Sequence, residues 1–307
     1  MSFTETYTLQ PREPLDFALS CQVFSDGTPT VRAYLNGEFS QVLQINGDLV
    51  LAKVVDSGST KKPCLTITLK SNKSLTAKTQ QTAQETLNYI FNLNFDLTAF
   101  YCEVQKDPIM HKITQQLCGF KFPTTPTAFE GLVDAIVEQQ ISIKVARTIE
   151  ERLAQRFGNK LEINNETYSA FPTAQNIAEA SISDIRACGL SQRKAEYIYN
   201  VAQHILSGKL DLEAMKTNPH PESVIKVLDE FKGIGPWTAE LTLLRGMQRW
   251  DVLPADDFGI KRVISTYYYG GKSIKTSEAQ ETAKTWGKWQ GLAAFYLILA
   301  EAKNILV

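Results

Sequence analysis

The stretch "FKGIGPWTAE", residues 231–240, places two glycines around an isoleucine and follows them with a proline and a tryptophan. Gly233 and Gly235 allow backbone conformations that other residues rarely adopt, so the segment predicts a tight turn between two helices. Pro236 suits the first turn of the second helix. The unpaired amides at such a helix start form an anion site that fits a phosphate. A compact corner between helices, without any ligand, fits the same residues.

Two adjacent carboxylates follow this turn in "LPADDFGIKRV", residues 253–263. The order of residues predicts that Asp256 and Asp257 stand at the start of another helix, where a carboxylate can cap the helix and complement its dipole. A carboxylate held ionised there can also stabilise a developing positive charge and accept a proton from water. The residues alone leave the structural and the catalytic interpretation open.

The N-terminal third has the pattern of an antiparallel sheet. Alternating runs rich in β-branched residues, "TVRAYL", "FSQVLQI", "LVLAKVV" and "CLTITLK", are separated by turn signals. The Asn-Gly pairs at 36–37 and 46–47 are strong signals for β-hairpins. A helix is predicted over 79–91. We therefore expect an α+β domain, an antiparallel sheet with a helix, over residues 1–105.

From about residue 108 the pattern is helical, and we expect an all-α domain over residues 106–307. Thr127 and Glu130 predict a capping box at the start of one helix. "QQIS", 139–142, interrupts the helical pattern, which then resumes with an apolar face formed by Val145, Ile149, Leu153 and Phe157.

Composition excludes several classes of protein. The chain of 307 residues has a net charge of −1, so any binding to a polyanion must come from local geometry and not from bulk charge. The five cysteines are scattered and the histidines number three, which argues against disulfides, zinc and iron–sulfur ligation. Without an apolar run of membrane-spanning length or the features of a signal peptide, we expect a cytoplasmic protein and no membrane partner.

"LDEFKGIGPWTAELTLLRG" followed by "LPADDFGIKRV" resembles the signature of the helix–hairpin–helix (HhH-GPD) DNA glycosylase superfamily. "FEGLVDAIVEQQISIKVA" and "ACGLSQRKAEYI" match further segments of that family. The whole is similar to its alkylation-repair branch, the bacterial 3-methyladenine DNA glycosylases II. The resemblance covers about 108–304 by motif and 1–105 by architecture and length.

The resemblance implies a monofunctional DNA glycosylase of base excision repair, monomeric and nucleoid-associated, that flips alkylated bases out of damaged double-stranded DNA. It identifies Asp257 as the catalytic residue, because Ile260, Arg262 and Val263 complete the family's pattern. Asp256 is then a helix cap or a secondary carboxylate. Lyase-type relatives carry a nucleophilic lysine where this chain has Trp237, so activity as an AP lyase is not expected. A glycosylase for other damaged bases, or a catalytically silent DNA-binding protein, remains open.

Site residues follow from the same resemblance. Gln140 takes the position of the wedge that fills the gap left by the flipped base, although a polar turn between helices fits it as well. The expected DNA-binding residues are Gln139, Gln140, Ile141, Lys194, Lys232, Gly233, Ile234, Gly235 and Thr238. The expected base pocket comprises Trp237, Leu241, Phe258, Tyr296 and Ile298, with Trp286 and Trp289 as weaker candidates.

The pocket departs from the family, and this leaves the preferred base open. Leu241 stands where relatives place a stacking tyrosine, and Ile298 where they place a tryptophan. No cofactor is required by the expected chemistry. The family's monovalent cation would bind to the backbone carbonyls of Asp229, Phe231 and Ile234.

Overall fold

The computed structural model describes residues 2–305. Within them the chain forms seven strands: β1 (Phe3–Leu9), β2 (Arg32–Leu35), β3 (Glu38–Ile45), β4 (Asp48–Asp56), β5 (Leu65–Ser71), β6 (Lys160–Ile163) and β7 (Glu166–Ser169).

The same residues form fifteen α-helices: α1 (Phe17–Cys21), α2 (Ala77–Phe91), α3 (Leu97–Val104), α4 (Pro108–Gln116), α5 (Ala128–Glu138), α6 (Ile143–Phe157), α7 (Ala174–Ala178), α8 (Ile182–Arg186), α9 (Gln192–Leu206), α10 (Leu212–Met215), α11 (Pro221–Asp229), α12 (Pro236–Met247), α13 (Phe258–Tyr268), α14 (Thr276–Lys284) and α15 (Gln290–Ala302). No helix in residues 2–305 is long and apolar enough to cross a membrane.

The predicted antiparallel meander is confirmed. The order β1-β5-β4-β3-β2 runs consecutively from β2 to β5. Asn36, Gly37, Asn46 and Gly47 all have positive φ, between 51° and 84°, as the tight turns of both hairpins require. β1 was not predicted. It pairs with β5 at the sheet edge and is mostly exposed, so it lacks the apolar alternation by which a strand is recognised.

The α+β and helical parts of the predicted fold are confirmed, with one addition. The hairpin β6–β7 lies within the region expected to be all-α. Its residues Leu161, Ile163 and Tyr168 are buried against Val42 and Leu51 of the sheet. The hairpin therefore joins the sheet to the helices, a long-range contact that local sequence pattern does not reveal.

Two local predictions in the helical region need correction. Thr127 caps α5 by accepting a hydrogen bond from the Glu130 amide, but the Glu130 carboxylate forms an ion pair with Arg32 of β2 and does not complete a capping box. Val145 lies on the exposed side of α6, with 49 % of its surface accessible, whereas Ile149 and Leu153 are buried as predicted.

The helices share two hydrophobic clusters. One contains residues of α5, α6, α9, α11 and α12, and the other joins α3 and α4 to α13, α14 and α15. α3 therefore packs with the C-terminal helices although it precedes residue 105. The domain boundary between 105 and 106 stays a prediction.

Antiparallel packing of α5 against α12 positions the parts that matter for function. At one end of the contact a Cβ on Gly131 would lie 2.8 Å from the Cα of Gly246, so the helices cross at close range. At the other end Gln139 donates a hydrogen bond to Thr238. The loop that follows α5 is thereby held beside the turn that precedes α12.

Candidate active site and nucleic-acid interface

Asp257 is the N-cap of α13 and is half-buried. Its Oδ1 accepts a hydrogen bond from the Ile260 amide at 2.9 Å, and its Oδ2 accepts one from Trp237 Nε1 at 2.9 Å. Both oxygens are therefore held in position by hydrogen-bond donors from α12 and α13. This geometry suits a carboxylate that stabilises positive charge or takes a proton from water.

Trp237 joins the hairpin turn to this carboxylate. It stands in the first turn of α12, and its indole N–H reaches across to α13. The sequence predicts an aromatic surface at this position, but the hydrogen bond to Asp257 depends on the packing of two helices and was not foreseen. Beside it, the Phe258 ring is 78 % exposed next to the carboxylate.

Asp256 has a different role from its neighbour. Its Oδ1 accepts hydrogen bonds from Lys261 Nζ at 2.8 Å and from Thr276 Oγ1 at 2.9 Å. These two hydrogen bonds lower the pKa of the Asp256 carboxyl. Asp256 is thus a surface carboxylate in an ion pair, and Asp257 is the cap.

Glu240 was missed by the sequence reasoning. It lies on α12, one turn after Trp237, and is half-buried. Burial, helped by the negative charge of Asp256, raises the pKa of Glu240 to about 7.

The hairpin turn uses its two glycines differently. Gly233 has φ +91°, and a Cβ there would lie 2.1 Å from the ring of Tyr197. Gly235 has φ −90° and ψ 178°, extended backbone open to any residue, and a Cβ there would meet no atom within 4 Å. The prediction of unusual backbone is therefore confirmed for Gly233 and wrong for Gly235.

The start of α12 presents free amides. The first intrahelical bond is donated by the Ala239 amide to Gly235 O at 3.0 Å, so the amides of Trp237 and Thr238 precede it. No side chain within residues 2–305 caps this helix. Lys232 is exposed in the same turn, and Ile234 is buried in the helical core. The turn retains the features of an anion site.

The loop after α5 carries three of the residues predicted to contact DNA, and the structure gives each a different environment. Gln140 is exposed and has φ +56°, so its side chain is accessible to a partner, as a wedge requires. Gln139 instead donates hydrogen bonds from Nε2 to Gly233 O and Thr238 Oγ1, both at 2.9 Å. Ile141 packs partly buried against the helical core. Gln139 and Ile141 support the loop, and Gln140 remains the wedge candidate.

Lys194 and Thr238 do not offer their side chains to a phosphate. Lys194 Nζ donates to Val137 O at 2.8 Å and Gln139 O at 2.5 Å, at the C-terminus of α5. Burial lowers the pKa of Lys194. The Thr238 side chain is 2 % exposed and is bonded to Gln139. Their predicted DNA contacts are therefore wrong at the level of side chains.

The predicted base pocket is only partly assembled. Tyr296 is fully buried and donates a hydrogen bond to Phe120 O at 2.7 Å, so its assignment to the pocket is wrong. Leu241 and Trp286 are also buried, 3 % and 0 % exposed, and Trp289 is 9 % exposed. Ile298, by contrast, lines a cavity of about 320 Å³.

This cavity, called here the interdomain cavity, lies between the sheet and the helices. The rings of Phe122 and Phe295, stacked at 3.6 Å, form part of its wall. Glu138 and Ile143 also line it, and they flank the loop that carries Gln140. The cavity therefore reaches the residues at both ends of the segment that carries Gln140.

The cation site stays a prediction. Phe231 O accepts a hydrogen bond from the Ile234 amide at 3.0 Å, which leaves one lone pair free. Within residues 2–305 no group of three His, Cys, Asp or Glu side chains could hold a metal ion. Uncharged carbonyl oxygens alone suit a weakly held hard cation.

Comparison with known proteins identifies the family of the chain. The model of the HhH-GPD superfamily of base excision DNA repair proteins matches residues 133–288. The chain is 31 % identical to the DNA-3-methyladenine glycosylase of Bacillus subtilis over 218 residues, which are 70 % of this chain and 71 % of that protein. It is 32 % identical to DNA-3-methyladenine glycosylase 2 of Escherichia coli over 60 % of this chain and 61 % of that protein. The match therefore spans less than two thirds of the Escherichia coli protein.

Among solved structures, the 3-methyladenine DNA glycosylase of Archaeoglobus fulgidus is similar along its whole length. The TM-score is 0.84 at 25 % identity, over 98 % of this chain and 100 % of that chain. An 8-oxoguanine glycosylase/lyase of Clostridium acetobutylicum, in complex with DNA, has a TM-score of 0.78 at 21 % identity, over 99 % of both chains. At this identity, the similarity to the Clostridium acetobutylicum enzyme shows a shared fold but not a shared activity.

The two hairpin glycines should respond differently to alanine. Gly233→Ala forces a side chain into left-handed backbone and into Tyr197, and should lower the free energy of unfolding by about 2–4 kcal/mol. Gly235→Ala should stay within about 1 kcal/mol of wild type. Urea denaturation of both variants measures the difference, and equal losses would contradict the turn geometry.

Proposed function

Since the chain belongs to the HhH-GPD superfamily of base excision DNA repair proteins, we propose that it is a DNA glycosylase that hydrolyses the N-glycosidic bond of alkylated bases of the 3-methyladenine type. The named relatives from Bacillus subtilis and Escherichia coli support this substrate class. The observation that carries the proposal is the carboxylate of Asp257, fixed on both oxygens beside an uncapped helix start.

Cleavage of an N-glycosidic bond develops positive charge on the deoxyribose. Asp257 stabilises that charge without rearranging, because Trp237 and the Ile260 amide already hold its oxygens. It then accepts a proton from the water that attacks the sugar. An alkylated base that already carries a positive charge leaves easily, so little acid assistance is needed from the protein.

DNA is held by the turn between α11 and α12. The amides of Trp237 and Thr238 and the exposed Lys232 bind one backbone phosphate, which does not require a basic surface. The net charge of −1 is consistent with such local anchoring. Gln140 fills the stack when the target nucleotide turns out, a step that costs a few kcal/mol.

The reaction ends at hydrolysis. A Schiff-base lyase needs an amine within reach of the sugar. At the position after the hairpin the chain has Trp237, and Lys261 on α13 is bound by Asp256 at 2.8 Å. We infer a monofunctional enzyme that acts as a monomer on damaged double-stranded DNA of the nucleoid, with a monovalent cation on the hairpin carbonyls as an optional structural ion.

Asp257→Asn should abolish base release without abolishing binding. Asparagine keeps the helix cap but supplies no negative charge, so release from methylated duplex DNA should fall about 10²–10⁴-fold. The measurement is single-turnover release of free base, with DNA affinity and thermal melting determined in parallel.

The matched control for this experiment is Asp256→Asn. This substitution removes the adjacent carboxylate, which is exposed and paired with Lys261. It should retain activity within about twofold, since a solvated surface ion pair contributes little. If both variants were equally active, Asp257 would not be the catalytic group.

Trp237→Phe should impair the positioning of the Asp257 carboxylate without weakening the binding of DNA. Phenylalanine keeps a ring in place but cannot donate to Asp257, and loss of a hydrogen bond to a charged group amounts to about 1.5–3 kcal/mol. The rate of base release should fall about 10–100-fold while DNA affinity stays near wild type. An unchanged rate would show that Asp257 does not depend on this hydrogen bond.

Absence of lyase chemistry can be tested by trapping. When the protein is incubated with DNA containing an abasic site and sodium borohydride, no covalent complex should accumulate, because the proposal includes no Schiff base. An established bifunctional glycosylase serves as positive control. A stable protein–DNA adduct, mapped to a lysine by mass spectrometry, would overturn the monofunctional assignment.

A further inference from the structure

The interdomain cavity has an unusually charged lining for an interior surface. It contains Arg32 of β2, Glu130, Asp134 and Glu138 of α5, Glu150 of α6 and Arg245 of α12. The three acids of α5 are spaced by four residues and therefore share one face of that helix. Since Lys, Glu, Arg and Asp are rarely buried without partners, this cluster requires an explanation.

Only four of these six charged residues form ion pairs with one another. Arg32 is paired with Glu130, and Arg245 is paired with Glu138. Arg147, the third arginine of the lining, is paired with Asp26, so Asp134 and Glu150 form no ion pair with any arginine of the cavity. The cavity can therefore accommodate added positive charge but has no unneutralised arginine to attract an anion.

The hydrogen bonds of the cluster are incomplete as well. Six buried side-chain polar atoms within residues 2–305 lack a hydrogen-bond partner, and five of them belong to residues that line this cavity. Asp134 Oδ1 and Glu150 Oε1 are two of these, and the Asp134 residue is only 9 % exposed. Buried polar atoms without partners are destabilising, and a ligand that supplies partners would remove that cost.

Both carboxyls are poised to change protonation state. Burial, together with the negative charges of Glu150 and Glu130, raises the pKa of Asp134 well above its usual range. Burial and the charge of Glu138 raise the pKa of Glu150 to about 8, against the opposing charges of Arg245 and Arg32. Positive charge that enters the cavity would favour the ionised form of both carboxyls and so oppose the effect of burial.

We propose that Asp134 and Glu150 are specificity-determining residues that select an extruded base carrying positive charge, such as an N7- or N3-alkylated purine, over a neutral damaged base. This inference rests on the proposed function. The cavity is lined by Glu138 and Ile143, which flank the loop that carries Gln140, and its wall of stacked Phe122 and Phe295 suits a flat ring. When the cationic base enters, a carboxyl proton passes to solvent, and the resulting carboxylate pairs with the ring.

The proposal predicts a selectivity that can be measured by binding alone. Three duplexes are used at pH 6.5: one with 2′-fluoro-stabilised 7-methylguanine, one with 2′-fluoro-stabilised hypoxanthine, and one with a tetrahydrofuran abasic analogue. Wild-type protein should bind the first about tenfold or more tightly than the second, as expected for a charge–charge contact out of water.

Asp134→Asn combined with Glu150→Gln should abolish this preference. Both substitutions resemble the protonated acids in shape, so the fold should survive, and unchanged affinity for the abasic analogue checks it. For the double variant, the affinities for the 7-methylguanine and hypoxanthine duplexes should differ by no more than about threefold. Should the double variant fail to fold, the single variants decide, each with a partial loss. Glu151→Gln is the matched control, because this carboxylate already accepts a hydrogen bond from the Thr28 amide, and it should keep the wild-type ratio.

Release of 7-methylguanine from unfluorinated DNA separates this inference from the proposed function. If wild type releases the base but the double variant retains the wild-type affinity ratio, the selection by Asp134 and Glu150 is wrong and the glycosylase assignment stands. A wild-type ratio of one overturns the inference whatever the activity. If wild type releases no base, the glycosylase assignment fails, and the affinity ratios still decide whether the cavity selects cations.

Discussion

The hydrogen bond from Trp237 Nε1 to Asp257 Oδ2 is the contact on which the arrangement of the site depends. It connects the first turn of α12, which offers free amides, to the N-cap of α13, which offers a carboxylate. If both were flexible, the carboxylate would be attracted to the free amides and would occupy the anion site itself. Because both are attached to helix ends, they keep a fixed separation, which the proposed function requires of a phosphate site and a catalytic carboxylate.

The close packing of α5 against α12 adds a third part to the site, the loop that carries Gln140. Gly131 and Gly246 let the two backbones approach, and the antiparallel direction brings the end of α5 to the start of α12. Gln139 then bonds to Gly233 O and Thr238 Oγ1, while Lys194 binds the last carbonyls of α5. The exposed Gln140 is therefore presented by a braced loop. A wedge on a mobile loop would lose conformational entropy on every insertion, and this bracing reduces that loss.

The sequence predicted those features that depend on local chemistry. Alternation and Asn-Gly turns revealed the meander, and the glycine turn with its proline revealed the hairpin. The start of a helix at the aspartate pair followed from the residues next to it, although the cap is Asp257 and not Asp256 as expected. Features set by distant partners were missed or misassigned: Glu130 pairs with Arg32, Lys194 with carbonyls of α5, and Tyr296 with Phe120 O. A lysine or tyrosine in a helix looks the same in sequence whether it faces solvent or another helix.

Charge distribution explains how a chain with net charge −1 can bind DNA and still contain a strongly acidic cluster. The acids of α5 and α6 line the interdomain cavity, where two are paired with arginines and two have pKa values raised chiefly by burial. They therefore add little repulsion at the surface that faces the duplex, while exposed Lys232 and the helix amides act there at short range. Inside the cavity, where the dielectric constant is lower, the same acids act strongly on any base that enters. In the proposed function, this separation would let one surface bind every nucleotide alike and one interior distinguish among them.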